Sequence, residues 1–453
     1  MRNNKKLLAI SMIFAIMTAD LTSAAEGVER LRTIWRGQWV DYVEMGDYAV
    51  TEGDIIIGSK DAARQWAQAG KRGLEQVSGG QKALTIDDAT LLWTRGASGV
   101  AEVPFTIEAG NAANINAAVA EVNRALAGVL RWVPRTTQGD YVAFNLTQPG
   151  AGYCASAVGR IGGRQLIVGE PDCALTTFVH EMGHTTGLNH VQSDGEANAF
   201  VNIHAERTSP ASRSQSQIIF NTRTFGGYDY SSVMHYRAVN FIAFPGAVNI
   251  ESRPMGIDLR AVTTYSAADV DAIARLYGVP IPRTIVTSNP VGLQVVVDGV
   301  TVTTPASFDW KMGSVHRVWA TTTLQTKDGY KFGFGRWGHD ANATPSLQYT
   351  WQGTPGDDQL GSPASIPSST VLTANFVRLI DVSYTPASQV GGTASVIPRS
   401  PPWPGTTTLF PQLTTFDLVA SRAAGYQNYV TFNSSVTLFN RDSPLGRIEH
   451  RVG

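Results

Sequence analysis

Only two cysteines, Cys154 and Cys173, occur in the 453 residues, so the chain can close one internal disulfide at most. Neither sign of charge is in excess: 36 Lys and Arg stand against 37 Asp and Glu, and no global charge argues for a nucleic-acid or membrane-surface partner. Long apolar runs are also missing. The one near the start, Leu7 to Met17, is about half of the roughly 20 residues that a membrane helix needs, and Asp20 follows it. Basic Arg2, Lys5 and Lys6 precede it and small Ser23, Ala24 and Ala25 come after, which is the pattern of a secretory signal peptide over 1–25. The expected product is therefore exported, extracellular or periplasmic, without a membrane anchor in the mature chain. In an oxidising compartment Cys154 and Cys173 are expected to pair rather than to ligate metal or remain free thiols.

Glycine and proline are plentiful, 44 and 22, and with frequent Thr and Val they predict many turns and strands. A chain of 453 residues predicts two to four domains. Inside it, Thr177 to His190 reads T-F-V-H-E-M-G-H-T-T-G-L-N-H. On a helix His180 and His184 project from one face, one turn apart, with Glu181 beside them, and two such imidazoles can share a metal. A bare H-E-x-x-H also fits an ordinary amphipathic helix with two surface histidines. The continuation favours the metal: Gly187 can stop the helix at positive φ, and the reversed chain can then bring His190 to the same ion. Three neutral imidazoles and one open position describe catalytic zinc.

Farther on, Tyr228 to Tyr236 reads Y-D-Y-S-S-V-M-H-Y. H-E-x-x-H-x-x-G-x-x-H followed by a methionine turn is the metzincin pattern, and the S-x-M-H-Y form of that turn resembles the astacin family. Upstream, Tyr153 to Gln165 is similar to the family's G-C-x-S-x-V-G-R-x-G-G-x-Q stretch; downstream, Ser266 to Val270 and Leu276-Tyr277 resemble its closing helix. These stretches cover roughly the middle two-fifths of the chain. The resemblance implies an α+β fold, a two-lobed metzincin zinc-protease domain, followed here by one or two all-β sandwich-like modules. It implies Zn2+ held by His180, His184 and His190, Glu181 as general base and Met234 as an apolar floor under the metal. Tyr236 would be a fifth ligand at rest that swings away to donate to the tetrahedral oxyanion. The partner implied is a protein or peptide substrate, cleaved by a zinc-activated water, and the chain is expected to act as a monomer. The rival is an inactive secreted binding or adhesion protein that works through its C-terminal modules; lost activity normally shows as a missing ligand or base, and none is missing here.

Residues 26–82 are expected to be a propeptide with too little apolar surface for its own core. It carries an alternating segment, Tyr48 to Gly58, and a helical stretch from Lys60 to Val77. Thr51-Glu52-Gly53-Asp54 is similar to the family's F-x-G-D element without its phenylalanine, so Asp54 either caps the zinc or merely makes a turn. The catalytic domain is expected over 83–280, with an edge strand at Val103 to Ile107, a helix from Asn114 to Leu130, and strands at Tyr141 to Phe144 and Arg164 to Val168. Beyond it, Asp298-Gly299 and Asp328-Gly329 signal β-hairpins. Two modules are expected, 281–378 and 379–453, from the comparable placing of Gly329-Tyr330 and Gly425-Tyr426. They resemble small β-modules appended to many bacterial exported proteins; Trp310, Trp319 and Trp337 are either core or a face that binds a surface or carbohydrate. One departure stands out: the family follows its third histidine with a glutamate that receives the mature N-terminus, whereas this chain has Val191.

Overall fold

A computed structural model describes residues 31–451 except 37, 71–84, 87–88, 97–98, 209–221, 224–226, 241, 245–246, 261, 280–282, 311–314, 322, 340–345, 351–358, 361–370, 382–391, 399–401, 408, 413–414, 423–436 and 440–446. The expected signal peptide, the boundary at 82 and the Gly425-Tyr426 segment lie outside the described residues.

The first strands are β1 (Leu31–Trp35), β2 (Gln38–Met45), β3 (Tyr48–Thr51) and β4 (Ile55–Ser59), an antiparallel meander that leads into helix α1 (Lys60–Gly70). The helix is described as far as Gly70, and the rest of the stretch expected to Val77 lies outside the described residues. The apolar residues of this segment are buried in a core shared with the neighbouring strands. Val40, Tyr42, Ala49, Ile55, Ile57 and Ala63 close on one another and on Val158, while Val50 and Ile56 pack with Ala155 and Val168 on the other face. Composition hid this because β3 and β4 are covered on both faces, so nearly every one of their short apolar residues is buried.

The meander continues the catalytic sheet. Nine strands run in the order β1, β2, β3, β4, Cys154–Ser156, Arg164–Gly169, Tyr141–Asn145, Ala101–Ala109 and Leu130–Pro134. Ala101–Ala109 is flanked on both sides, so it is not the edge strand expected from Pro104. The local reason for tolerating proline still holds: pairing with Tyr141–Asn145 starts only at Phe105, and Pro104 has a neighbour on one side alone. Helix α2 (Ala112–Ala125) is capped by Asn111, whose side chain accepts from the Ala113 and Asn114 amides, and buries Ile115, Ala118, Val119 and Val122. It stops short of the expected Leu130, because Gly128 at φ +82° turns the chain into the strand Leu130–Pro134. Helix α3 (Leu175–Thr186) packs on α2, and Cys154 and Cys173 are joined just before it. Helix α4 (Ala267–Leu276) starts with a Ser266/Asp269 capping box.

Residues from Thr284 to Asp381 form a β-sandwich. One sheet contains Ala306–Phe308, Thr284–Asn289, Val371–Asp381, Tyr330–Trp337 and Gln325–Lys327; the other contains Val300–Thr303, Gln294–Val297, Val315–Trp319, Ser346–Thr350 and Gln359–Leu360. Val286, Val295, Val318, Phe332, Trp337, Leu372 and Phe376 form the core between them. Both Asp-Gly hairpins are present, with Asp298, Gly299, Asp328 and Gly329 all at positive φ. The boundary expected at 378 falls a few residues early: beyond it Gly392–Pro398, Thr415–Arg422, Arg447–Arg451 and Thr437–Phe439 form a four-stranded sheet of their own. Arg378 lies inside the unbroken strand Val371–Asp381, which pairs with Leu409–Pro411 from beyond it. The sandwich is also more than an appendage, because Val377, Leu379 and Leu409 belong to the main catalytic core. Arg336, on Tyr330–Trp337, reaches across to donate to the carbonyls of Ala199 and Arg253, both at 2.7 Å, with its guanidinium 4.1 Å from the Phe200 ring centroid. Of the three tryptophans weighed as core or surface, Trp337 is fully buried, while Trp310 and Trp319 are half-buried and Trp310 stacks on His316. No described helix is long and apolar enough to cross a membrane.

Candidate active site

Helix α3 carries His180, Glu181 and His184 and ends at Gly187, in the left-handed region at φ +114°. Its amide donates to the His184 carbonyl, and the Leu188 amide returns to the Gly183 carbonyl, which closes the helix and sends His190 back beneath it. His180 Nε2 and His190 Nε2 come to 3.1 Å, His184 Nε2 and His190 Nε2 to 3.2 Å.

Each histidine's far nitrogen is committed elsewhere. His180 Nδ1 donates to the Val233 carbonyl at 2.7 Å, His184 Nδ1 to the Leu188 carbonyl at 2.8 Å, and His190 Nδ1 to Glu52 Oε2 at 2.8 Å. Those acceptors place the proton on Nδ1 and leave three Nε2 lone pairs aimed at one point. Tetrahedral zinc with Zn–N bonds of about 2.0–2.1 Å sets its ligand atoms roughly 3.3 Å apart. The observed spacing and tautomers fit that ion.

Asp54 completes the cluster. Its carboxylate oxygens lie 3.3 Å from His180 Nε2, 3.6 Å from His184 Nε2 and 3.1 Å from His190 Nε2, so Asp54 and the three histidines form one group able to hold a metal. Burial would push the Asp54 carboxyl up, but contact with the protonated form of the histidine cluster, His190 above all, outweighs it and holds the carboxyl well below the usual range; zinc on the three Nε2 atoms would take the place of those protons. Glu181 goes the other way: burial first, then Asp54's charge, holds it well above the ordinary carboxyl value. Its Oε2 accepts from Ser156 Oγ at 2.8 Å. Burial, with Asp54 and Glu52 nearby, keeps the Tyr236 phenol protonated; the hydroxyl donates to the Glu52 carbonyl and lies 3.4 Å from each Asp54 oxygen.

The methionine turn is held from α4. Asp269 accepts from Ser232 Oγ at 2.6 Å and from the Val233 amide at 3.1 Å, so the carbonyl that orients His180 is itself anchored. Met234 lies against the backbone of α3 at Gly183, where an added Cβ would come 2.5 Å from its sulfur. Met234 thus packs against α3 next to His184, and a side chain at 183 would require it to shift. His235 accepts from Tyr228 Oη at 2.7 Å and donates to the Tyr236 carbonyl at 2.6 Å. A cleft of about 340 Å³ opens beside the cluster, lined by His180, Glu181, Tyr236 and Arg237 and roofed in part by Gly53 and Asp54.

Sequence reasoning brought forward every metal-facing residue here but missed Glu52, which stands 138 positions from the histidine that it holds. Its adjacency to Gly53-Asp54 was the only signal available. Gln192 was likewise missed; its Oε1 accepts from the Tyr236 amide at 3.1 Å.

The model of the family described as Astacin (Peptidase family M12A) matches residues 93–278. Embryonic protein UVS.2 of Xenopus laevis is 30% identical over 200 residues, 42% of this chain and 37% of that protein. Astacin-like metalloendopeptidase of Gallus gallus is 31% identical over 193 residues, 41% of this chain and 46% of that protein. High choriolytic enzyme 1 of Oryzias latipes is 28% identical over 160 residues, 34% of this chain and 58% of that protein. The chain thus spans less than two-thirds of the length of each of these relatives. Residues 93–278 thus carry a domain that matches the astacin family, peptidase family M12A.

Proposed function

We propose that the chain is a secreted zinc endopeptidase acting on proteins or peptides and made as a latent precursor. The observation that supports it is the convergence of three Nε2 atoms with Asp54 at the cleft that Glu181 also lines. Zinc, when bound by His180, His184 and His190, supplies a Lewis acid that polarises the scissile carbonyl and acidifies water. Glu181 is placed to take a proton from the attacking water once Asp54's repelling charge has left, and then to hand it to the leaving amine. Ser156 holds the carboxylate in place for both transfers. Tyr236, a protonated donor next to His190, supplies a hydrogen bond to the oxyanion that develops on the substrate. The rival reading, an inactive binding protein, needs a missing ligand or base, and the site has them all.

Latency follows from the segment 26–82. Asp54 occupies the position a substrate carbonyl or water must take, and Glu52's carbonyl captures the Tyr236 hydroxyl. Cleavage in the 71–82 region would free both at once. The test is Asp54→Ala in the full-length chain. Purified protein should hold zinc, and the variant should cleave casein before processing, at a rate well above the wild-type precursor and abolished by a chelator. Zinc-free protein, or equal latency of the two precursors, refutes the respective half of the proposal.

A further inference from the structure

The three histidines differ in what holds their far nitrogens. His180 and His184 donate to the carbonyls of Val233 and Leu188, both in the catalytic domain and kept after any processing. His190 alone is held by a carboxylate, and that carboxylate belongs to the segment that processing removes. Glu52 is fully buried at the β3–β4 turn, at φ +49°. Its Oε2 accepts from His190 Nδ1–H at 2.8 Å and from the Ser193 hydroxyl at 2.7 Å, while Oε1 has no hydrogen-bond partner among the described residues. The residue after His190 is Val191, whose side chain can accept nothing.

We propose that Glu52 is the positioning residue of the third metal-binding histidine, so that the propeptide strengthens the zinc site while blocking it. The inference rests on the zinc-site reading and on removal of 26–82. A carboxylate on a ligand imidazole fixes its tautomer, aligns the ring and raises the basicity of the nitrogen facing the metal; losing it typically costs about 10–100-fold in metal affinity. Asp54 acts at the metal face of the histidines and Glu52 behind one of them, so the two carboxylates make separable contributions. The precursor would then be the form best able to acquire zinc, and the processed enzyme the form that gives it up more readily.

The experiment is chelator-competition measurement of zinc affinity on full-length wild type, Glu52→Gln, Asp54→Asn and the double variant. The Glu52→Gln substitution keeps the shape and an accepting oxygen but removes the charge. It should weaken zinc binding about 10–100-fold, and the double variant should be weaker than Asp54→Asn alone. Cobalt-substituted Glu52→Gln should show a shifted absorption spectrum, which a purely structural role would leave unmoved. If Glu52→Gln fails to fold, a wild-type chain cut between 78 and 82 and freed of its propeptide must bind zinc more weakly than intact Asp54→Asn. Glu52→Gln affinity within about threefold of wild type, or a freed chain as tight as Asp54→Asn, overturns the inference. Wild type that binds no zinc would instead overturn the function proposed above.

Discussion

Ser156 joins Glu181 to Asp54: its hydroxyl donates to Glu181 Oε2 at 2.8 Å, and its backbone amide donates to the Asp54 carbonyl at 2.9 Å. Removal of residues 26–82, as proposed above, would leave Glu181 this partner and take away the charge of Asp54. Glu181→Ala should keep zinc, because no ligand is touched, and should lower kcat by on the order of 10²–10⁴. Metal analysis with casein turnover checks this; zinc-loaded Glu181→Ala with substantial activity would remove the residue from its role.

Tyr236 makes its closest contact with the Glu52 carbonyl. Removal of residues 26–82, as proposed above, would take that acceptor away and let the hydroxyl meet the substrate. Tyr236→Phe should keep the ring packing against His190 and lose about 10² in kcat with little change in KM. Steady-state kinetics on the processed variant decide it, and an unchanged kcat would make the tyrosine structural.

Arg336 is almost fully buried and ties the sandwich to catalytic-domain loops through two carbonyls and the Phe200 ring. Arg336→Met fills much of the same volume but leaves both carbonyls without that donor. The expected loss is about 2–4 kcal/mol in denaturant unfolding. Catalytic domain and sandwich should unfold in one transition in the wild type, since Val377 and Leu379 are part of the catalytic core. Two separated wild-type transitions would show the contact to be weak.

His339 has both ring nitrogens buried without a hydrogen-bond partner among the described residues, and burial pushes its pKa down to about 4. The fold therefore favours the neutral ring, while the unfolded chain protonates near 6.5. The linked stability is fully present above about pH 6.5 and is lost as the pH falls through about 4, on the order of 3 kcal/mol in all. His339→Leu should flatten that part of the stability profile between about pH 7 and pH 4. The same acid slope in both proteins would show that His339 charges without cost.

The metal cluster and the hairpins were legible in the sequence, because both are written in local geometry. His180 and His184 share a face through the helical repeat, and Gly187 supplies the one backbone conformation that returns His190 to them. Asp298-Gly299 and Asp328-Gly329 adopt positive φ at little steric cost, so their turns can be read without any neighbour. What these pieces meet was settled only by the folded chain. Glu52 reaches His190 across 138 positions, Arg336 reaches Ala199 across 137, and neither contact has a periodicity or spacing that a sequence could display. The same holds for the burial of β1 to β4 and for the strand running through Arg378: whether short apolar residues are buried depends on which strand lies alongside, and pairing partners are selected by the whole sheet.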